Sequence, residues 1–205
     1  LGDIYYELKD YDKALEYYNQ ILKYLPYVSS TYESIAQVYM DMGKEKIAKE
    51  NYETALRINP NSFTAREKIR SFNGQKENIF DELGIKEIDA LAIFKSAPDK
   101  SAYPKDNSAI LLWDISKVIY NDWVSEEKHT MIVKVYDAAG IDQWKEYYVG
   151  GYGNQRSKII KAEVLKANGT KFEAEKRGGN IVFTNLEPGD GIHVTYSYQD
   201  SKYDK

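Results

Sequence analysis

The chain has 205 residues, of which 42% are hydrophobic and 29% are charged, and its formal net charge is −4. Basic and acidic residues are interspersed, so the sequence offers no positive stripe to a nucleic-acid backbone. The absence of cysteine excludes disulfides, a thiol nucleophile and cysteine zinc sites but leaves the cellular compartment open. No apolar run approaches the roughly 20 residues that a membrane-spanning helix needs. We therefore expect neither a nucleic-acid partner nor a membrane span.

The first third of the sequence repeats with a period of 34 residues. A shift of that length aligns Leu1 with Ile35, Gly2 with Ala36, Tyr5 with Tyr39, Ala14 with Ala48, Tyr18 with Tyr52, Leu22 with Leu56 and Pro26 with Pro60. This period and pattern resemble the tetratricopeptide repeat (TPR). The resemblance implies helical hairpins that stack on their neighbours and leave a groove for a protein or a peptide.

Apolar residues at helical spacing predict two helices in each repeat, with Gly43 at the turn inside the second one. A third copy is incomplete, because Arg66 stands where the second repeat has Tyr32. It predicts a single closing helix at about 63–73. We assign residues 1–74 to a truncated first repeat, a complete second repeat and this closing helix. Since the chain opens without Met, inside the first helix of a repeat, we expect a fragment whose N-terminus, targeting segment and any earlier repeat are missing.

The TPR resemblance places the ligand-facing surface on the first helix of each repeat. The corresponding positions of this sequence are Asp3, Tyr6, Ser30, Glu33, Gln37, Met40 and Asp41. The last five are spaced by 3, 4, 3 and 1 and so share one helical face. A plain solvated face is the alternative. The basic clamp that some members use for a C-terminal carboxylate is missing, since the acidic Asp3 stands where that pattern has an amide. A chaperone-tail adaptor is therefore disfavoured.

Residues 75–107 form a predicted connector. The pair Asn73-Gly74 stops the preceding helix, and Pro98 and Pro104 punctuate the segment. Apolar residues between them predict one amphipathic helix at about 85–96, which ends before Pro98. The apolar side of such a helix needs a neighbour, so we expect the connector to dock partly on the domain that follows.

Residues 108–205 change to a strand-like pattern without intervening helices. Short runs rich in Ile, Val, Tyr and Thr lie at 109–113, 116–120, 128–136, 147–149, 157–165, 170–175, 180–183 and 192–198. They predict an antiparallel all-β sandwich, so the whole chain is of the α+β multidomain class. Asn168-Gly169 predicts a two-residue type I′ hairpin turn, and Pro188-Gly189 predicts a type II turn.

Three blocks of this region resemble a bacterial domain of unknown function. They are SAILLWD (108–114), KAEVLKANGT (161–170) and IVFTNLEPGD (181–190), and the resemblance covers about residues 98 to 200. That family typically lies immediately before a transglutaminase-like, papain-like domain in multidomain proteins, often of Bacteroidota. The resemblance implies that the protein continues past Lys205 into a cysteine-protease-like fold, and it suggests a periplasmic or cell-envelope location.

No catalytic set of residues stands out. His129 and His193 each lie in a predicted strand, and a metal site would need both together with a carboxylate. The glycines of residues 150–153 have the composition of a phosphate-binding loop but lack its strand-to-helix context. The glycosylation pattern Asn168-Gly169-Thr170 is explained by the hairpin alone. We predict no catalytic residue, no metal and no cofactor in this chain.

Two functions from different classes stay open. The leading hypothesis is a non-enzymatic scaffold fragment, in which the repeats bind a peptide, a protein or a neighbouring domain and the β-domain supports a downstream transglutaminase-like domain. The alternative is a carbohydrate-binding module of an envelope glycan-utilisation or cell-wall system, because exposed aromatic rings on a β-sandwich can stack on sugars. The candidate rings are Trp113, Trp123 and Trp144, with Tyr147, Tyr148 and Tyr152 nearby in sequence.

Overall fold

The computed structural model describes residues 1–120, 124–151 and 156–200. The chain is α+β, with helices followed by antiparallel β-sheets, as the sequence predicts. It divides into two compact units, of which the first ends at Ile85 and the second begins at Lys86. This division falls inside the predicted connector, and the predicted boundaries 1–74, 75–107 and 108–205 stay predictions.

The first unit consists of helices joined by short turns. Their bounds are α1 Gly2–Glu7, α2 Tyr11–Tyr24, α3 Ser29–Asp41, α4 Glu45–Ile58, α5 Phe63–Phe72 and α6 Ile79–Glu82. Two helical hairpins and the closing helix α5 are thus confirmed. The turn inside each hairpin needs one left-handed residue, which is Gly43 (φ 71°) in the second repeat and Lys9 (φ 59°) at the equivalent place in the first.

The core of the first unit combines small residues with tyrosine. One cluster contains Ala14, Tyr18, Ile35 and Val38, and a second contains Ala36, Tyr52, Ala55 and Ala65. The alanines let two helices approach closely, and the buried rings fill the space beside them. Gly2 illustrates how tight this packing is, because a Cβ at this position would lie 2.5 Å from the Tyr18 ring. Tyr18 is 5% exposed and Tyr52 is 1% exposed, so both rings lie in the core.

The described residues of the second unit form two helices and eight strands. The helices are α7 Ala90–Ser96 and α8 Ala138–Trp144, and Lys100–Ala102 form a short 3₁₀ turn. The strands are β1 Ser108–Ile119, β2 Ser125–Val135, β3 Glu146–Tyr148, β4 Arg156–Leu165, β5 Lys171–Glu173, β6 Glu175–Arg177, β7 Asn180–Val182 and β8 Gly191–Asp200.

The strands form two antiparallel sheets that share one core. The larger sheet has the order β1-β2-β8-β4-β5, and the smaller one has the order β3-β7-β6. Apolar side chains from both sheets pack between them, among them Met131, Val133, Val164, Ile181, Phe183 and Val194. On the other face of the larger sheet, Ala90 and Phe94 of α7 pack against Ile132 and Leu165. This arrangement is the predicted sandwich, with one additional helix on its outer face.

Several expectations about helices and strands are wrong. Helix α7 begins at Ala90 rather than near residue 85, because the Asp89 carboxylate caps it by accepting from the Ala92 N–H. The runs 109–113 and 116–120 are one strand, β1, which bulges between Ile110 and Leu112. Helix α8 was not predicted at all; it is only seven residues long and is capped by Asp137.

The run 170–175 is also not one strand. It divides at the buried Ala174 into β5, which belongs to the larger sheet, and β6, which belongs to the smaller one. The Ala174 N–H still donates to the Ala162 carbonyl at 3.0 Å, so the chain leaves the first sheet directly after this bond. A single extended segment thereby connects the two layers of the sandwich.

The two predicted turns have different outcomes. At Pro188-Gly189, Gly189 has φ 91° and the Asp190 N–H bonds to the Glu187 carbonyl, which confirms a type II turn. At Asn168-Gly169 only the glycine has positive φ, whereas a type I′ turn needs it at both residues. The Gly169 N–H bonds to the Lys166 carbonyl, so this connection is a three-residue loop with the glycine in the left-handed position.

Candidate functional site

A cavity of about 260 Å³ opens among the first three helices of the first unit. Its lining residues come from α1, α2 and α3 and are Asp3, Tyr6, Glu7, Tyr18, Ser34 and Gln37. We call this surface the repeat cavity. Three of the seven predicted partner-binding residues, Asp3, Tyr6 and Gln37, thus lie together around one opening. They meet there because each faces outward from the first helix of its repeat.

A chain of hydrogen bonds connects the cavity wall across three helices. The Tyr6 hydroxyl of α1 donates to the Asp41 carboxylate at 2.8 Å, and the Gln37 amide donates to the same carboxylate at 2.9 Å. The Tyr52 hydroxyl of α4 then donates to the Gln37 side-chain carbonyl at 3.2 Å. Because each of these side chains is held by its neighbour, the wall is ordered before any ligand arrives.

The opposite side of the repeat cavity is fixed by a buried tyrosine. The Tyr18 hydroxyl donates to the Asp3 carboxylate at 2.6 Å, and the ring of Tyr18 packs beneath Gly2. A charged hydrogen bond of this length holds the carboxylate in one orientation. The Asp3 carboxylate thus lies in the cavity wall with one oxygen bonded to Tyr18.

The electrostatics of the cavity are negative. Hydrogen bonding to the Asp41 carboxylate raises the pKa of Tyr6 to about 12, and burial with the Asp3 carboxylate nearby raises the pKa of Tyr18 to about 12. These phenols stay protonated at neutral pH and donate to the acids. Asp3 and Glu7 contribute carboxylates to the lining, and the described residues that line it include no basic side chain. The surface suits a cation or a group rich in N–H donors.

The other predicted partner-binding residues lie outside the lining. Asp41 lies next to it and acts through Tyr6 and Gln37, as described above. The Glu33 carboxylate accepts from the Ser62 hydroxyl at 2.7 Å, which ties α3 to the residue that caps α5. Met40 packs against the apolar cluster around Tyr52, and Ser30 is exposed in the first turn of α3.

Sequence reasoning missed three lining residues, Glu7, Tyr18 and Ser34. Glu7 follows Asp3 by four positions and Ser34 precedes Gln37 by three, so helical spacing alone could have found both. The ring of Tyr18 lies in the core, and its hydroxyl also contributes to the cavity wall. A buried tyrosine commonly serves in both ways, since its ring is apolar and its tip is polar.

The tryptophans of the second unit are placed differently from one another. Trp113 exposes 55% of its surface on β1. Trp144 is half-buried at the end of α8, where its indole N–H donates to the Ser108 hydroxyl at 2.9 Å and its ring stacks on Tyr147. Trp123 and Tyr152 lie outside the described residues. The structure therefore offers one exposed indole ring for stacking and uses the other inside the fold.

The two histidines lie on opposite faces of the larger sheet. His129 pairs with Tyr196 across β2 and β8 and stacks on its ring at 4.9 Å, whereas His193 pairs with Ile132. Each histidine has a carboxylate partner, Glu127 at 2.8 Å for the first and Glu163 at 3.3 Å for the second. The two rings cannot share one metal ion, and the described ranges contain no group of three or more metal-ligating side chains.

Comparisons with known proteins agree with the helical part of this description. Residues 1–27 and residues 29–62 each match a family model of the tetratricopeptide repeat. A comparison with curated proteins gives no match. Within the ranges that the structure describes, no helix has the length and apolar character needed to cross a bilayer.

Several solved structures are similar to part of the chain, and one of them serves as an example. It is a crystal structure of a candidate protease from Parabacteroides distasonis, with 14% sequence identity and a TM-score of 0.42. The match covers 47% of this chain and 24% of that chain. The matched half of this chain thus spans about a quarter of the length of that protein.

Proposed function

We propose that the repeats form a non-enzymatic protein-interaction module, and that the repeat cavity takes a peptide segment of a protein partner. The tetratricopeptide matches support a scaffold role for this region. The observation that carries the proposal is the pre-ordered wall formed by Tyr6, Gln37 and Asp41 around an open cavity. A surface that is ordered in advance loses little conformational entropy when a ligand binds.

The charge of the cavity indicates the chemistry of the peptide. Asp3 and Glu7 in the lining, with Asp41 behind it, favour a segment that carries lysine or arginine, and they disfavour an acidic one. Such a contact is electrostatic and partly exposed. Affinity should therefore fall as the salt concentration rises.

Fluorescence anisotropy with labelled peptides tests this proposal. The probes are two peptides of equal length, one with alternating lysine and one with alternating glutamate. The double variant Asp3→Asn/Glu7→Gln should weaken binding of the lysine peptide about tenfold. The matched control is Asp12→Asn/Glu53→Gln, which makes the same charge change on exposed helix positions outside the cavity. Equal affinities of the two double variants would contradict the proposal.

For the second unit, we propose a supporting role beside a transglutaminase-like domain that follows residue 205, in a protein of the cell envelope. The support for this is the resemblance of the blocks at 108–114, 161–170 and 181–190, which fall on β1, on the β4–β5 hairpin and on the segment between β7 and β8. The full-length gene product tests it. A downstream sequence without a cysteine-containing catalytic fold would exclude this role.

The exposed ring of Trp113 keeps the carbohydrate-binding alternative open for the second unit. Titration of the chain with a panel of polysaccharides, followed by tryptophan fluorescence, separates the two functions. A glycan-binding module gives a saturable shift that Trp113→Ala reduces. The absence of a shift across the panel removes this alternative.

A further inference from the structure

The two edges of the larger sheet differ in length and in character. The edge strand β5 has three residues, Lys171–Glu173, of which two are charged. The other edge strand, β1, has twelve residues, Ser108–Ile119, and its one neighbour in the described sheet is β2. An edge strand presents unpaired backbone N–H and C=O groups, and proteins usually protect them by shortness, charge or proline. Strand β5 has such protection.

Strand β1 carries a row of exposed apolar side chains. Ile110, Trp113, Ile115 and Ile119 each expose between 49% and 61% of their surface. Trp113 pairs with Met131 and Ile115 pairs with His129, so the row continues the face of the sheet that forms the core of the sandwich. The core face thus extends as far as β1, where part of it is open to solvent.

The same residues direct their backbone groups toward the free edge. The Tyr120 N–H donates to the Val124 carbonyl at 2.9 Å, which marks this pair as hydrogen-bonded. Hydrogen-bonded and non-hydrogen-bonded pairs alternate along an antiparallel ladder. Residues 114, 116 and 118 therefore face β2 with their backbone groups, and residues 113, 115, 117 and 119 face outward.

Strand β1 has little of the usual protection. It contains no proline, and its bulge lies near the beginning, between Ile110 and Leu112, which leaves eight regular residues after it. Its one basic residue, Lys117, forms an ion pair with Glu127 of β2 at 2.7 Å. Its one acidic residue, Asp114, is half-buried on the other face. Among the residues that the structure describes, none pairs with the outer side of the edge from residue 112 to 119.

We propose that β1 pairs antiparallel with β1 of a second copy of this chain, which joins the two larger sheets across a twofold axis. In such an isologous contact the same surface patch serves both copies. Side chains that face each other across two strands must lie on the same face, which limits the possible registers. The inference does not depend on the proposed function of the repeats.

Charge selects among the central registers. One of them places Asp114 opposite Asp114 of the second copy, and another places Lys117 opposite Lys117, and like charges in these places are destabilising. The registers centred on Ile115 and on Ser116 both avoid these contacts, and we choose the one centred on Ile115 because it brings two apolar side chains together at the axis. It places Ile115 opposite Ile115 and Trp113 opposite Lys117 of the second copy, a pairing in which a cation can approach an aromatic ring. The strand is therefore complementary to itself.

Sedimentation equilibrium of the complete chain tests the proposal. The wild-type chain should show a monomer–dimer equilibrium, and Ile115→Lys should raise the dimer dissociation constant at least about tenfold, because it places two lysines opposite each other. The matched control is Phe172→Lys, which makes the same change on the edge strand β5. This control should leave the equilibrium unchanged. Circular dichroism verifies that both variants fold.

A cross-link tests the register. The natural sequence has no cysteine, so Ile115→Cys introduces a single thiol. Residues in a hydrogen-bonded pair have Cα atoms about 5.5 Å apart, which suits a disulfide. Mild oxidation should convert Ile115→Cys to a covalent dimer faster than it converts Phe172→Cys. A wild-type chain that stays monomeric over the whole concentration range of the sedimentation experiment would overturn the proposal. A dimer that neither substitution at residue 115 affects would also overturn it.

Discussion

The contacts inside the two units connect residues at different separations along the sequence. In the first unit helices α1 to α5 pack in chain order, each against the next, and the bond from Tyr6 to Asp41 reaches only into the next repeat. In the second unit the central strands β2 and β8 are distant in sequence; the hydroxyls of Thr130 and Thr195, 65 residues apart, lie at 3.3 Å. The repeats can therefore lose stability locally, whereas the sheet depends on contacts that must all be made together.

The cores of the two units also differ in kind. Alanine and tyrosine dominate the first, as at Ala36 and Tyr52, whereas β-branched residues such as Val133 and Ile192 dominate the second. Alanine permits close approach of helices, and β-branched side chains fit a pleated surface. Substitutions in each core therefore test whether the two units lose stability in different ways.

The largest effect is expected from Tyr52→Ala in the first unit. Tyr52 is 1% exposed, and removal of a buried aromatic ring costs about 3–5 kcal/mol. Hydrogen–deuterium exchange should increase in α3, α4 and α5, which pack around the ring, and should change little in β2 and β8. Tyr52→Phe is the control, since it removes only the hydroxyl that bonds Gln37. Equal loss of protection in both units would contradict the local behaviour of the repeats.

Leu165→Ala should act more widely within its unit. Leu165 is fully buried between the larger sheet and α7, and such a truncation costs about 2–5 kcal/mol. Because the sheet is held by long-range pairing, amide exchange should rise together in β2, β4 and β8. The half-exposed Ile160 on the same strand provides the control Ile160→Ala, which should leave exchange nearly unchanged. A rise confined to β4 would show that the sheet is less cooperative than its topology indicates.

The smallest expected effect is a change in the stability of the second unit with pH. Both histidines lie in the second unit, and burial lowers the pKa of His193 below its ordinary value of 6.5 in spite of the nearby Glu163. The unfolded chain therefore binds more protons than the folded one just below pH 6.5, so stability falls as the pH decreases through that window. Urea unfolding at pH 7 and at pH 5.5 measures the difference. His193→Gln should reduce the pH dependence of the free energy of unfolding. An unchanged pH dependence would show that other groups cause it.

The helical unit could be predicted closely because its signal repeats. Two copies of one pattern 34 residues apart reinforce each other, and Gly43 marks a turn that Lys9 forms in the same conformation without a glycine. The repeat cavity was found in part: the outward positions Asp3, Tyr6 and Gln37 follow from helical spacing. The contribution of Tyr18 does not follow from helical spacing, because its ring lies in the core and only its hydroxyl reaches the cavity.

The second unit was predicted less closely because short elements carry little periodicity. Helix α8 spans two turns, too few for a helical pattern to appear, although Asp137 before it is a capping signal. The sequence around Asp114 suggested a break between strands, but polar and apolar residues continue to alternate there, and the strand continues with them. The sequence thus indicated the strands, whereas the assignment of β5 and β6 to different sheets required the tertiary structure.

The passage of the chain from β5 to β6 through Ala174 limits how this domain can vary in length. Glu173 is paired with Glu163 in one sheet and Glu175 with Val182 in the other, with a single residue between them. One inserted or deleted residue there would turn one of the two strands over and place its outward side chains in the core. The β6–β7 turn at Gly178 has open space around it and can absorb such changes. Among relatives of this domain, we therefore expect gaps to gather at the turn and the spacing of residues 171–177 to be constant.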